Sequence, residues 1–226
     1  MANRDLLAIG ASAGGFEALR FLVGKFPRDL PASVLVVLHL PSQFRSELDA
    51  ILTGSGPLPA GFAADGEPLN RGRIYIGHPG SHLIADGDRL RLGLGPRENN
   101  ARPAIDPMLR SVGLCCGPRA VGVVLTGTLG DGAAGLVALK QCGGITVVQD
   151  PDDAAYPEMP IAALRRAKPD HVAPLAAMPA LLTTLVGQPA GSPVQVPEMM
   201  RYEVEIARSG RSSMRDRKST RLNSSH

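Results

Sequence analysis

The sequence predicts an α/β domain built on a doubly wound, mostly parallel β-sheet. Four short segments, residues 6–9, 33–38, 120–125 and 145–148, are apolar on both faces, as strands are when helices cover both sides of their sheet. Each is flanked by a segment with helical spacing of apolar residues. Aromatic residues make up only 4% of the 226 residues and Trp is absent, which fits a core of aliphatic side chains. Together these observations predict a Rossmann-like architecture.

Helices are predicted from apolar residues that recur every three to four positions. Phe16, Leu19, Leu22 and Phe26 mark the helix that follows the first strand. Further helices are expected over residues 105–116, after Asp131 and over residues 176–186, and residues 157–160 are expected to begin another. Val172 is expected to start a last short extended segment.

Residues 73–94 show a different pattern, with short alternating apolar runs at 74–76, 82–84 and 89–92. Asp86-Gly87 lies between the last two runs, and this dipeptide is typical of a hairpin turn. We therefore expect an antiparallel hairpin at the edge of the sheet. Residues 54–68 and 95–103, which are rich in glycine and proline or polar residues, are expected to be loops.

The charge of the chain is concentrated at its C-terminal end. Residues 201–226 contain seven Lys or Arg and three Asp or Glu, a balance of +4, whereas the remaining residues carry 17 basic and 18 acidic groups, a balance of −1. A nearly neutral body without a basic stripe argues against nucleic acid as a partner. We expect a folded domain over residues 1–188 and a tail over residues 189–226 that is disordered or, within 216–226, not native.

The three cysteines indicate a reducing environment. Cys115, Cys116 and Cys142 lie in apolar surroundings, and no pair has the spacing of a zinc site. The N-terminus lacks the pattern of a signal peptide, and no apolar run approaches the ~20 residues of a membrane span. We expect a cytoplasmic protein that does not insert into membranes.

Three residues with complementary chemistry follow three of the predicted strands. Ser12 lies in Gly10-Ala11-Ser12-Ala13-Gly14 after the first strand, His39 ends the second, and Asp131 follows the third. The carboxyl ends of parallel strands share one edge of a sheet, which is where ligands bind. A hydroxyl, an imidazole and a carboxylate at that edge predict nucleophilic acyl transfer, with Ser12 as nucleophile, His39 as base and Asp131 orienting the imidazole.

Each of these residues also has a plain structural explanation. Ser12 and Asp131 are both residue types that cap helices, and His39 could simply be a hydrogen-bonded histidine at a strand end. The glycines around Ser12 could instead cradle a dinucleotide. That site requires a second glycine at position 12 and an acidic residue after the next strand, where this chain has His39. The joint occurrence of all three at strand ends favours the triad.

No cofactor or metal ion is expected. His78 and His82 are four residues apart, but Pro79-Gly80 between them breaks any helix that would bring both rings to one face, and no third ligand is evident.

Several motifs resemble the catalytic domain of the chemotaxis protein-glutamate methylesterases (CheB-type). They occur in the same order as in that family, over about residues 5 to 186, and comprise residues 8–15, 38–41, 102–106, 125–135, 143–150 and 159–160. The resemblance implies that residues 1–188 form a methylesterase catalytic domain. It also implies that the catalytic serine, histidine and aspartate are Ser12, His39 and Asp131.

The family removes methyl groups from glutamate methyl esters on methyl-accepting chemotaxis receptors, releases methanol, and in some members deamidates receptor glutamines. By this resemblance Ser12 attacks the ester, and the amides of Ala13 and Gly14 are the expected oxyanion donors. The helical cytoplasmic region of such a receptor is the expected partner.

The sequence departs from the family in two positions expected to touch substrate. Ala13 stands where Thr is frequent, and Thr128 where Met is frequent. Members commonly carry an N-terminal receiver domain, whereas the first strand here begins within a few residues of Met1. We therefore expect either a substrate receptor outside motility or control by a separate partner such as a response regulator. The alternative function is a docking or signalling module of a chemosensory pathway with little catalytic activity.

Overall fold

The computed structural model describes residues 2–39 and 47–209. Within them, seven strands form one parallel sheet and two form a separate antiparallel hairpin. In chain order, the strands are β1 Leu6–Ala11, β2 Ser33–Leu38, β3 Ala60–Phe62, β4 Ile74–Ile76, β5 His82–Asp86, β6 Arg89–Gly93, β7 Ala120–Val124, β8 Ile145–Gln149 and β9 His171–Ala173. The helices are α1 Gly15–Gly24, α2 Leu48–Ser55, α3 Ile105–Cys116, α4 Ala133–Gln141, α5 Glu158–Ala167, α6 Met178–Gly187 and α7 Glu198–Ser209.

The direction in which successive strands are added to the sheet reverses next to β1. The parallel sheet runs β3-β4-β2-β1-β7-β8-β9, so the chain first builds outward from β1 on one side and then returns to add β7 on the other. The carboxyl ends of β1, β2 and β7 are therefore neighbours at the point where doubly wound sheets bind ligands. The predicted fold class is confirmed.

Two hydrophobic layers enclose the sheet because side chains alternate along each strand. In β1, Leu7 and Ile9 pack in a core with α1 and α6, whereas Leu6 and Ala8 pack in a second core with α3, α4 and α5. Every residue of β1 is buried. This burial on both sides explains why the strand sequence is apolar throughout.

The antiparallel hairpin differs in detail from its expected position. β5 and β6 pair with each other through the predicted Asp-Gly turn, but they form their own sheet and pack on α3 instead of extending the edge of the main sheet. Residues 74–76, expected to belong to the same excursion, form β4 and pair in parallel with β2. Ile74, Tyr75 and Ile76 are all buried, which places them in the interior of the parallel sheet.

Two elements, β3 and α2, were not predicted from the sequence. The expected loop over residues 54–68 contains β3, which pairs with β4 at the sheet edge. It also contains the last two residues of α2, a helix that was not predicted. β3 has only three residues and is half-buried, so its sequence shows little periodicity.

The C-terminal segment contains a packed helix, which corrects the expectation of disorder for residues 198–209. Met200, Val204 and Ala207 in α7 are buried, and their spacing puts them on one helical face. The N–H groups of Leu94 and Gly95 donate to carbonyls near the end of α7, at 3.1 and 3.0 Å. The expected disorder of residues 216–226 lies outside the described residues, and the domain boundary at 188 stays a prediction.

No helix in the described ranges is long and apolar enough to cross a membrane.

Candidate active site

Ser12 occupies the turn that joins β1 to α1. Its N–H donates to the carbonyl of Thr126 at 3.0 Å, and its own carbonyl accepts from the N–H of Gly15 at 2.8 Å. Gly14, with φ 73°, makes the left-handed step that lets the chain turn directly into the helix. The turn thus holds the half-buried Ser12 at the carboxyl edge of the sheet.

His39 lies opposite Ser12 on the neighbouring strand. β1 and β2 pair in parallel with Ala11 facing Leu38, and the N–H of His39 donates to the carbonyl of Ala11 at 3.1 Å. The next positions along the two strands are Ser12 and His39, and adjacent strands are about 4.8 Å apart. The register of the two strands therefore places the backbone positions of Ser12 and His39 side by side at the carboxyl edge of the sheet.

The His39 ring meets Asp131 on its other side. Nε2 of His39 lies 3.1 Å from Oδ2 of Asp131, an ion-pair distance, although the direction of the ring N–H falls outside that of a hydrogen bond. The two side chains are 22% and 3% exposed. Because Nε2 faces the carboxylate, Nδ1 is the ring nitrogen left to exchange a proton with another group.

Asp131 is held at the N-terminus of α3. Its Oδ2 accepts from the N–H of Ile105 at 2.7 Å, and its Oδ1 accepts from the N–H of Asp106 at 3.0 Å and of Gly132 at 2.9 Å. The first N–H groups of a helix have no partner within the helix and favour an anion. A carboxylate from a loop 26 residues downstream of Ile105 takes that position here.

Asn99 and Asp106 complete this polar cluster, and no role was predicted for either residue from the sequence. The Asn99 side-chain amide donates to Oδ1 of Asp131 at 2.7 Å and to Oδ2 of Asp106 at 2.9 Å. Oδ1 of Asp106 accepts from the N–H groups of Gly132 and Gly135. The sequence feature that could have indicated the cluster is Asp106, an acidic residue in the first turn of α3, where the neighbouring residues are buried.

The two buried carboxylates have opposite pKa shifts. Burial raises the pKa of Asp106, and the nearby negative charge of Asp131 raises it further. Burial also opposes ionisation of Asp131, but the contact with His39 and the N–H donors at the start of α3 outweigh it and hold its pKa below the ordinary value. Asp131 is therefore ionised more readily than Asp106.

Two backbone amides in the turn after Ser12 face no acceptor in the described part of the chain. The N–H groups of Ala13 and Gly14, expected to serve as oxyanion donors, make no hydrogen bond to residues 2–39 or 47–209. Thr126 braces this turn, because its buried hydroxyl donates to the carbonyl of Ala13 at 3.0 Å. Thr128 lies two residues further on in an exposed loop.

Gly127 is packed tightly against the serine. A Cβ built on Gly127 would lie 2.8 Å from Cβ of Ser12 and would overlap Sδ of Met159. Met159 is fully buried, and its N–H donates to the carbonyl of Gly127 at 2.9 Å. α5, which begins one residue before Met159, thus forms one wall behind the serine.

A polar cleft of about 230 Å³ opens beside His39. Its walls come from the ends of β2 and β4 and from the segment before α3, and they include Leu38, His39, Ile76, Arg97 and Arg102. The cleft is large enough for a side chain to approach the imidazole from this side.

His78 and His82 do not share a site. His82 is fully buried, with Nε2 2.8 Å from the carbonyl of Pro96 and Nδ1 accepting from the N–H of Ala104 at 3.2 Å. His78 is exposed, and its Nδ1 contacts the carbonyl of Pro79. His82 therefore joins the hairpin to the start of α3 as a structural residue.

A model of the CheB methylesterase family matches residues 7–182. The chain belongs to this family. It is 40% identical over 187 residues to "Protein-glutamate methylesterase/protein-glutamine glutaminase 1" of Xanthomonas campestris pv. campestris, covering 81% of the chain and 52% of that protein. It is 37% identical over 201 residues to "Protein-glutamate methylesterase/protein-glutamine glutaminase 3" of Myxococcus xanthus, covering 86% of the chain and 56% of that protein.

A solved structure also matches the fold. The CheB methylesterase catalytic domain of Thermotoga maritima superimposes with a TM-score of 0.77 at 29% identity, over 82% of this chain and 100% of that one. The chain spans about half the length of the curated relatives that it matches. The family predicted from the motifs is thereby confirmed.

Proposed function

We propose that this chain hydrolyses the methyl esters of glutamate side chains on methyl-accepting chemotaxis receptors, with Ser12, His39 and Asp131 as its catalytic triad. The observation that carries the proposal is the 3.1 Å contact between His39 and the ionised Asp131, with His39 beside Ser12 in the strand register. Relatives that bear the name protein-glutamate methylesterase support the substrate class.

The proposed reaction proceeds through an acyl-enzyme. Oγ of Ser12 attacks the ester carbonyl while Nδ1 of His39 takes the hydroxyl proton, and Asp131 stabilises the imidazolium that forms. The unpartnered amides of Ala13 and Gly14 donate to the oxyanion. Collapse of this tetrahedral intermediate breaks the bond to the methoxy group, which receives the proton from His39 and leaves as methanol. The acyl group stays on Ser12.

Water completes the cycle. His39 takes a proton from water as its oxygen attacks the acyl carbon, and then returns that proton to Oγ of Ser12. The products are the free serine and a glutamate side chain, which ionises to the carboxylate and releases its proton to solvent. With a glutamine side chain the same steps release ammonia, which matches the second half of the relatives' names.

The remaining parts of the proposal concern recognition and control. Thr128, exposed in the loop that follows β7, is proposed to contact the substrate, as is Ala13. The helical cytoplasmic region of a receptor is the proposed partner, which places the reaction in the cytoplasm. We also propose control by a separate response regulator, tested by adding the phosphorylated regulator to the methanol assay.

The deciding experiment is methanol release from receptor membranes carrying tritiated methyl groups. Ser12→Ala is expected to lower the rate by roughly 10⁴-fold or more, because the nucleophile is lost. Ser33→Ala is the matched control, since Ser33 is a buried serine at the start of β2 and far along the strand from His39. An unchanged rate in the Ser12 variant would refute the triad. Receptor binding without methanol release by the unmodified protein would favour a docking module instead.

A further inference from the structure

The cluster behind Asp131 contains two buried carboxylates that share two donors. The Asn99 amide donates one N–H to Asp131 and the other to Asp106, at 2.7 and 2.9 Å. The N–H of Gly132 lies 2.9 Å from Oδ1 of Asp131 and 3.0 Å from Oδ1 of Asp106. The side chains of both aspartates are nearly inaccessible to solvent, with 3% and 5% of their surface exposed.

The donor count fixes the direction in which Asp131 can accept a further hydrogen bond. A carboxylate offers about four lone-pair sites, two on each oxygen. Oδ1 of Asp131 receives Asn99 and two backbone N–H groups, so it is saturated. Oδ2 receives the N–H of Ile105, and its remaining site is the one beside His39.

We infer that Asn99 is a positioning residue for the reaction proposed above, and that it acts by holding Asp131 apart from Asp106 and turned toward His39. The inference rests on the proposed function. Without the amide bridge, two carboxylates would face each other in a site from which water is largely excluded, and their repulsion would rotate or displace Asp131. Asn99 itself is not expected to touch the substrate.

A purely structural role for Asn99 makes a different prediction. Its backbone has φ 50°, in the left-handed region that Asn, Asp and Gly tolerate best. If the residue served only this turn, Asp and Gly would replace it with little effect. If its two N–H donors matter, Gly loses the bridge, whereas Asp loses the bridge and adds a third carboxylate.

Asn70 provides a control outside the site. It is exposed and precedes β4, at the end of the sheet opposite the proposed triad, and its side chain makes no hydrogen bond to residues 2–39 or 47–209. Asn70→Gly and Asn70→Asp repeat both changes away from the cleft beside His39. Both controls are expected to stay within about twofold of the unmodified protein.

The experiment compares Asn99→Gly and Asn99→Asp in two assays on the full chain. We expect kcat for methanol release to fall about 10-fold in the Gly variant and about 100-fold or more in the Asp variant, because misplacement of a catalytic group by about 1 Å has effects of this size. KM is expected to stay within about twofold. The rate of Ser12 labelling by a fluorophosphonate should fall in the same order, without need of a receptor.

A charge-swapped variant tests the bridge directly. Asn99→Asp combined with Asp106→Asn returns the cluster to its original charge and provides an amide next to the new carboxylate. We expect this double variant to recover at least about 10-fold of the loss in labelling rate, a coupling that independent sites would not show.

The outcomes separate the two proposals. If the unmodified protein is labelled at Ser12 but releases no methanol, the substrate assignment fails and the ranking of variants is still measured from labelling. If Asn99→Asp labels as fast as the unmodified protein, or no slower than Asn99→Gly, the positioning role is refuted. Absence of labelling in the unmodified protein would overturn both.

Discussion

Replacement of Gly127 by Ala tests how closely the serine is packed. The added Cβ would lie 2.8 Å from Cβ of Ser12, whereas ordinary contacts of this kind begin at 3.4 Å. One of the two groups must therefore move by about 0.6 Å in an interior packed as densely as a crystal. The Cβ also overlaps Sδ of the buried Met159, so movement away from the serine is restricted.

Gly127→Ala is expected to lower both the stability of the fold and the rate of catalysis. Overpacking by one methyl group costs about 1–3 kcal/mol, which lowers the melting temperature by roughly 2–12 °C in a domain of this size. A shift of the nucleophile by about half an ångström is expected to lower kcat about 10- to 100-fold. Calorimetry and methanol release measure the two quantities on the same preparation.

Gly54→Ala is the control for this prediction. Gly54 lies in α2, and a Cβ there would have nothing within 4 Å, so the change should leave kcat unaltered and stabilise the helix by about 0.5–1 kcal/mol. If Gly127→Ala kept both the melting temperature and kcat of the unmodified protein, the packing argument for the position of Ser12 would be wrong.

Two further predictions concern stability. The folded-state pKa of Asp131 lies below the ordinary 3.8, so its ionised form stabilises the fold above about pH 4 and this contribution is lost as the pH falls through the folded-state pKa. In urea titrations at pH 6, Asp131→Asn should lower the free energy of unfolding by about 1–3 kcal/mol, because the new side-chain amide faces the N–H of Ile105. This loss of stability should become smaller below pH 3.8. A loss that stays constant with pH would contradict the prediction. Met200→Ala should lower the free energy of unfolding by about 2–5 kcal/mol, because Met200 is only 4% exposed. Met199 is 60% exposed, so Met199→Ala should lower it by less than about 0.5 kcal/mol. Equal losses in the two variants would mean that α7 does not pack as described.

The elements that sequence reasoning predicted best are those whose environment is uniform. β1 and β2 are buried on both faces, so their apolar runs were sufficient, and α3 begins and ends at the predicted residues 105 and 116. β3 was not predicted because its three half-buried residues carry too little pattern. α7 was not predicted because its apolar face is narrow and lies in a segment rich in charge, proline and serine.

The residues of the candidate site also differ in how well the sequence predicts them. The residues at strand ends could be predicted because strand topology alone brings Ser12 and His39 together. Asn99 could not, because its role depends on contacts with Asp106 and Asp131, which are 7 and 32 residues away in sequence. Only the folded arrangement of two loops and a helix end makes these groups neighbours.

The glycine pattern around Ser12 has two separate physical causes. Gly14 has the left-handed φ that the turn requires. Gly10 does not; a Cβ there would instead overlap the side chain of Ile105, the first residue of α3. The same side chain lies 3.0 Å from a Cβ built on Gly132.

The side chain of Ile105 thus packs between Gly10 and Gly132. Because neither glycine has a side chain, the N-terminus of α3 can approach the edge of the sheet closely. That N-terminus is what binds Asp131, through the N–H groups of Ile105 and Asp106. The first glycine of the serine motif therefore supports the acid of the proposed triad and not its nucleophile. A substitution at Gly10 should accordingly act on the reaction by displacing α3 and, with it, the carboxylate that faces His39.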